Sequence, residues 1–274
     1  MKRYLIWFFL SLIILLLTKG LIDMFWSGPL RGVHSFSIYY GEPDKQKLTE
    51  LQDQDALIFE PTAFSKKDIN HLKESDVKLF GYVSLMQLEN WNQELKERLL
   101  PTDYARLNGE RIYVNEWDTY VMDLRQPHYR EILLWKIKTY IADNQLDGIF
   151  FDTVDDLAYY FHEDDKVYRD MKVGYAALLK EIEKQYPELD IIQNRGFETY
   201  ESTSHPYVEG ILWESFKAHD IEESEWAKKW LAYLIKEQRA GKVRVLTVVT
   251  DEDSLKASKK HKFPAFLRKD DTYQ

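Results

Sequence analysis

Eight short apolar runs, helical periodicity between several of them, and no repeat or Pro/Gly/Ser-rich linker after residue 30 predict an α/β fold of the (β/α)8 TIM-barrel type. The runs are "GVHSFSIYY" (32 to 40), "DALIFE" (55 to 60), "VKLFGYVS" (77 to 84), "DGIFFD" (147 to 152), "LDIIQN" (189 to 194), "VEGILWE" (208 to 214), "VRVLTVVT" (243 to 250) and "FPAFLR" (263 to 268). Strands that alternate with helices form parallel sheets with right-handed crossovers, and eight such units close on themselves. A ninth stretch, "TYVMDL" (119 to 124), is set aside because Asp123 interrupts it and a helix start at Pro127 follows directly.

The helices read from their periodicity. In 127 to 144, Leu133, Ile137, Tyr140 and Ile141 share a face behind Pro127, a residue suited to the first helical position. Met171, Tyr175, Leu178 and Ile182 do the same in 166 to 186, before Pro187 stops the helix. Between 222 and 239 the stripe is Trp226, Trp230, Leu231 and Leu234, with Gly241 beyond it. Residues 85 to 123 are too many for an ordinary connection and carry Trp91 and Trp117, so this segment is expected to serve the site.

The first 28 residues are predicted to lie apart from a barrel spanning 29 to 274. Lys2 and Arg3 precede an uncharged run from Tyr4 to Thr18, the pattern of a signal peptide or signal anchor. No small-residue cleavage site follows, which favours an uncleaved transmembrane anchor, and the basic N-terminal flank places the remainder outside the cytoplasm, or secreted if cleavage occurs. The chain has a net charge of -9, and residues 29 to 274 alone have -11. An acidic surface excludes nucleic acid as a partner and suits a cationic ligand. With no cysteine there is neither a disulfide framework nor a thiolate metal site.

In a parallel barrel the catalytic face lies at the C-terminal strand ends. The polar residues there are Tyr39 and Tyr40, Glu60, Ser84, Asp152, Asn194, Glu214 and Asp251. Asp152 and Glu214 each terminate a wholly apolar run, "GIFFD" and "GILWE", so burial is expected to tune their carboxyls. Two such acids across a pocket are the requirement for cleaving a glycosidic bond. Tyr39 and Glu60 at strand ends, and Trp91 on the long excursion, are candidate substrate contacts. Helix capping competes with function for Asp155 and Asp156. "FFDTVDD" lacks the second acid two residues on that a phosphotransferase aspartate needs, since Val154 stands there. His162, with Glu163 and Asp164, offers no facing ligand pair, and no metal or cofactor is expected. "RKDDTYQ" reads as a solvated tail.

"LDGIFFDTVDD" resembles the fourth-strand signature of glycoside hydrolase family 114, the endo-α-1,4-polygalactosaminidases. The resemblance extends through "KLFGYVSLMQLENW", "YVMDLRQPHYREIL", "IIQNRG" and "ILWESF" and covers roughly residues 32 to 268. It implies a (β/α)8 barrel, a catalytic pair at Asp152 and Glu214, substrate contacts at Asp155 and Asn194, and further positions in matching segments at Tyr82 and Asp123. The family often has Asn where this chain has Thr153, and Asn where Trp213 precedes Glu214. The implied substrate is a cationic, partly deacetylated galactosamine polysaccharide, and the implied partners are exopolysaccharide biosynthesis proteins at a membrane. Two alternatives stand beside it: a non-catalytic, membrane-tethered polysaccharide-binding barrel, and a glycosidase for another sugar.

Overall fold

The computed structural model describes residues 30–269 and 272–273, so the signal or anchor segment expected over 1–28 lies outside the described residues. Each of the eight apolar runs contains a strand: β1 (Phe36–Tyr39), β2 (Ala56–Phe59), β3 (Lys78–Ser84), β4 (Gly148–Asp152), β5 (Asp190–Asn194), β6 (Gly210–Trp213), β7 (Arg244–Val249) and β8 (Ala265–Leu267). They pair in parallel in that order. β8 lies beside β1 without ladder hydrogen bonds of its own, leaving a barrel that is nearly closed. A cavity of about 340 Å³ marks this seam, between Lys47 and Leu51 on one side and Leu267 and Arg268 on the other.

The helices around the barrel include α1 (Lys45–Gln52), α2 (Lys66–Lys73), α3 (Pro127–Ile137), α4 (Asp156–Phe161), α5 (Asp165–Gln185), α6 (Glu225–Arg239) and α7 (Glu252–Lys260). Among the described residues no helix is long and apolar enough to cross a membrane. α3 starts at Pro127 as its composition requires, then loosens into one wide turn over Lys138–Ala142 rather than continuing regularly to residue 144.

Strand side chains alternate between two cores, which is why the runs look apolar throughout. Phe36, Ile38, Ala56, Ile58, Phe80, Phe150, Ile192, Leu212, Leu246 and Val248 fill the barrel interior. Their neighbours Leu57, Phe59, Leu79, Ile149, Phe151, Ile191, Ile211, Val245 and Val249 face the helices. The residue two positions beyond the last interior one of a strand therefore continues the same phase toward the barrel mouth.

The excursion from 85 to 123 forms a small antiparallel sheet in the order Gln87–Glu89, Thr119–Val121, Tyr113–Val114, with the helix Gln93–Arg98 and a short hairpin at Arg106–Leu107 and Glu110–Arg111. "TYVMDL" thus holds a strand, but one belonging to this sheet and not to the barrel. Asp123 lies at its base, 3% exposed. It accepts from Arg125 Nε and Nη2, both at 2.8 Å, from the Arg125 backbone at 3.0 Å and from Gln126 Nε2 at 3.1 Å. Its carboxylate is committed to the turn that launches α3.

α5 approaches this turn closely enough that a Cβ on Gly174 would lie 2.1 Å from the Leu124 carbonyl oxygen. Alanine ordinarily stabilises a helix interior over glycine by about 1 kcal/mol. Here overpacking against a backbone atom outweighs that gain, so Gly174→Ala is expected to cost about 2 kcal/mol net and lower Tm by several degrees. Thermal unfolding checks this, and an unchanged or higher Tm would refute the close packing.

Candidate active site

The site is the first polar layer above the interior core. Two residues past Phe80 stands Tyr82, past Phe150 Asp152, past Ile192 Asn194, past Leu212 Glu214 and past Phe266 Arg268. Asn194, 4% exposed, joins the two acids. Its Nδ2 donates to Asp152 Oδ1 and to Glu214 Oε2, each at 2.8 Å. Those two oxygens are consequently no more than twice that distance, 5.6 Å, apart. With a carboxylate on either side, only the amide nitrogen can occupy this position.

Asp152 also accepts from the Tyr82 hydroxyl on Oδ2 at 2.9 Å. Burial raises the Asp152 pKa above the ordinary carboxyl range, and the Glu214 charge adds to this. The bonds from Asn194, the Thr153 backbone and Tyr82 pull the other way. Tyr82 and Tyr40 are themselves pushed well above the usual tyrosine value, by burial first and then by the Asp152 charge. Both hydroxyls stay protonated, and the rings meet edge on with centroids 5.0 Å apart.

Three consecutive strand ends share a backbone device. Thr153, Arg195 and Ser215, the residues after Asp152, Asn194 and Glu214, have φ of 61°, 49° and 57°. A left-handed residue turns the chain away from the strand direction immediately after each of these side chains. This is an unfavourable conformation for a β-branched residue. The Thr153 hydroxyl helps hold it, donating to the Asp152 carbonyl at 2.7 Å and accepting from Met86 N at 2.9 Å.

The remaining expected site residues fall into three groups. Asp155 lies beside the pair: its carboxyl is raised by burial, lowered by Arg195 and raised again by the charges of Glu214 and Glu198. Its side chain makes no helix-capping bond and pairs with Arg195 at 3.4 Å. Glu60 and Asp251 are helix caps, Glu60 accepting from Thr62 N and Oγ1 and Asp251 from Ser254 N and Oγ. Tyr39, Trp91 and Asp123 are not among the residues gathered here. Tyr39 is on the outer phase of β1, its hydroxyl donating to the Glu42 carbonyl and its ring against Phe64; the inward tyrosine is Tyr40. Trp91 stands 67% exposed on the excursion, and Asp123 is the turn carboxylate described above.

Four residues that sequence reasoning did not choose contribute. Tyr40 and Arg268 follow from the two-residue alternation. Arg195, next to Asn194, had no separate signal. Tyr273, in the stretch read as a solvated tail, instead donates its hydroxyl to Glu214 Oε1 at 2.5 Å.

A parallel barrel that presents two strand-end carboxylates within one amide's reach has the arrangement that glycosidic bond cleavage by paired carboxyls requires. The chain belongs to glycoside-hydrolase family GH114, whose profile matches residues 25–243. It is a glycosidase. The fold is similar to that of the glycoside hydrolase domain of PelA from Pseudomonas aeruginosa, with a TM-score of 0.68 and 20% identity over 86% of this chain and 94% of that one. It is also similar to Aspergillus fumigatus Ega3 in complex with galactosamine, with a TM-score of 0.64 and 14% identity over 88% and 92% of the two chains. The α-galactosidase TtGalA from Thermus thermophilus shares the fold more distantly, with a TM-score of 0.55 and 11% identity over 87% of this chain and 58% of that one. Comparison with curated protein sequences finds no match.

Asp156, the first residue of α4, has an environment that makes stability depend on pH. Burial drives its carboxyl up to about 7; the 2.7 Å bond from Gln87 Nε2 opposes this, and the charges of Asp155 and Asp152 add to it. Its folded pKa exceeds the unfolded one, so folding is unpenalised in acid and loses stability as pH rises from about 4 through 7. Asp156→Asn keeps an acceptor for Gln87 but cannot ionise. The variant is expected to gain about 3 to 4 kcal/mol over the parent on going from pH 4 to pH 8. Thermal unfolding across that range checks it, and a pH-independent difference would exclude Asp156 as the titrating group.

Proposed function

We propose that this glycosidase cleaves α-1,4-linked, galactosamine-containing polysaccharide with retention of anomeric configuration. Asp152 acts as nucleophile and Glu214 as general acid and base. The observation that carries the proposal is the amide bridge from Asn194, which limits the nearest oxygens of the two acids to 5.6 Å. Retaining enzymes separate their carboxyls by about 5 to 5.5 Å, whereas inverting enzymes leave about 6.5 Å or more for a water.

In the first step Glu214 protonates the leaving glycosidic oxygen while Asp152 attacks the anomeric carbon, giving a glycosyl ester and a shortened chain. In the second step Glu214 removes a proton from water, which displaces Asp152 and restores both groups. Burial opposes ionisation of Asp152, and the donors Asn194 and Tyr82 act against it without adding a cation. A substrate ammonium group beside Asp155 would lower the cost further, as would the net negative charge of the chain. Ega3 has been crystallised with galactosamine, which supports the same sugar class here.

The proposal extends to location. Lys2, Arg3 and the uncharged run after them support a signal or anchor that places the barrel outside the cytoplasm, where exopolysaccharide is assembled or remodelled. Exopolysaccharide biosynthesis proteins would then be its neighbours.

Asp152→Asn and Glu214→Gln are each expected to reduce release of oligosaccharides from partly deacetylated galactosaminoglycan by about 10³-fold or more, with Tm within a few degrees of the parent. Mass spectrometry of the products measures this, and near-normal turnover by either variant would remove that residue from the pair. NMR of the first-formed reducing end should show the α anomer. Initial β product would overturn retention, and cleavage confined to other polymers in a panel would overturn the sugar class.

A further inference from the structure

Tyr273 comes from beyond the stretch that matches the family, yet it is built into the site at four points. Its hydroxyl donates to Glu214 Oε1 at 2.5 Å. Its backbone carbonyl accepts from Tyr40 N at 2.6 Å, across the seam where β1 and β8 lack a ladder. Its ring packs against Tyr40 and Phe266, with centroids 5.3 and 6.2 Å away, and the Arg268 guanidinium lies 5.4 Å from the ring centroid. These contacts place the hydroxyl by anchoring the residue at both its backbone and its ring.

Glu214 gains from such support because Asn194 reaches only one of its oxygens and the Arg268 guanidinium stands 4.0 Å from the other, beyond hydrogen-bond range. Asn194 holds Oε2 from the β5 side, and a carboxylate held at a single oxygen is free to pivot about its terminal torsion. Tyr273 holds Oε1 from the opposite side of the barrel mouth. Each oxygen keeps a second lone pair for proton transfer. Burial, and then the Glu214 charge, push the Tyr273 hydroxyl far above the ordinary tyrosine value, so it remains a donor across the working range.

We propose that Tyr273 is a positioning residue for the general acid: with Asn194 it fixes the plane of the Glu214 carboxyl so that its proton faces the leaving oxygen. The inference rests on the role assigned to Glu214 above. It predicts a dependence on the leaving group, because a poor leaving group needs a well-aimed proton and an activated one does not.

The test compares Tyr273→Phe with the parent on two substrates, galactosaminoglycan and a dinitrophenyl α-galactosaminide oligomer. Their kcat/KM values report the first bond cleavage. Phenylalanine keeps the ring packing and the backbone bond to Tyr40 and removes only the hydroxyl. The expected result is a loss of about 10- to 100-fold on the polymer and less than about 3-fold on the aryl glycoside, with Tm nearly unchanged. Deleting residues 270 to 274 should give the same split with a polymer loss at least as large.

Equal losses on both substrates would mean a merely structural role and overturn the inference, as would unchanged polymer cleavage. Faster polymer cleavage by either variant would mean that Tyr273 obstructs the site, and would also overturn it. Glu214→Gln is run alongside. If that variant cleaves polymer normally, the assignment of Glu214 itself has failed; if it is inactive while Tyr273→Phe is normal, only the role of Tyr273 has.

Discussion

The two-residue alternation of the barrel strands is the constraint on which the site depends. One phase of each strand is buried inside the barrel, and the next residue of that phase, at the strand end, is the first that meets the mouth. Phe150, Ile192 and Leu212 thus form an apolar floor directly beneath Asp152, Asn194 and Glu214. The floor is close-packed, so the polar layer above it is positioned by core packing and not by loops. It also keeps water from approaching from below, which makes each hydrogen bond in the layer stronger and each unpaired charge more costly.

Backbone strain is concentrated at the same level. Left-handed residues after Asp152, Asn194 and Glu214 each carry a cost of about 1 to 3 kcal/mol that only a well-determined surrounding structure sustains. The neighbouring strands supply that determination. Leu85 N donates to the Asp152 carbonyl, Arg195 N to the Leu212 carbonyl and Phe216 N to the Val248 carbonyl, so each turn is tied across to a neighbouring strand or the residue just beyond it. Asn is the residue best suited to the first of these turns, and Thr153 tolerates it through two hydrogen bonds of its own hydroxyl.

This geometry explains which parts of the molecule were legible in the sequence. The first seven strands announce themselves because both faces of a parallel barrel strand are largely buried; β8, half-buried throughout, is marked by its apolar composition alone. Strand-end position located Asp152, Asn194 and Glu214, since an acid or amide that closes an apolar run has few other reasons to be there. The same reading selected Tyr39 over Tyr40, although counting back in twos from the strand end distinguishes them, Ile38 being interior. Asp123, Glu60 and Asp251 illustrate the opposite difficulty: a carboxylate beside a turn is as readily a cap, and only the donors around it decide. Tyr273 was illegible in principle. Its role depends on a seam between the first and last strands, a contact separated by nearly the whole chain and marked by no local pattern.

The choice of an amide to join the two acids has a chemical consequence. A lysine or arginine at position 194 would hold both carboxylates permanently ionised and would repel an ammonium-bearing sugar. A neutral donor holds the pair in place without fixing the charge state of either acid. The nearby cations sit to the sides, Arg195 on Asp155 and Arg268 at 4.0 Å from Glu214, where they balance charge without occupying the space between the acids. The space between Asp152 and Glu214 is thus flanked by two carboxylates and bridged by the neutral Asn194 amide.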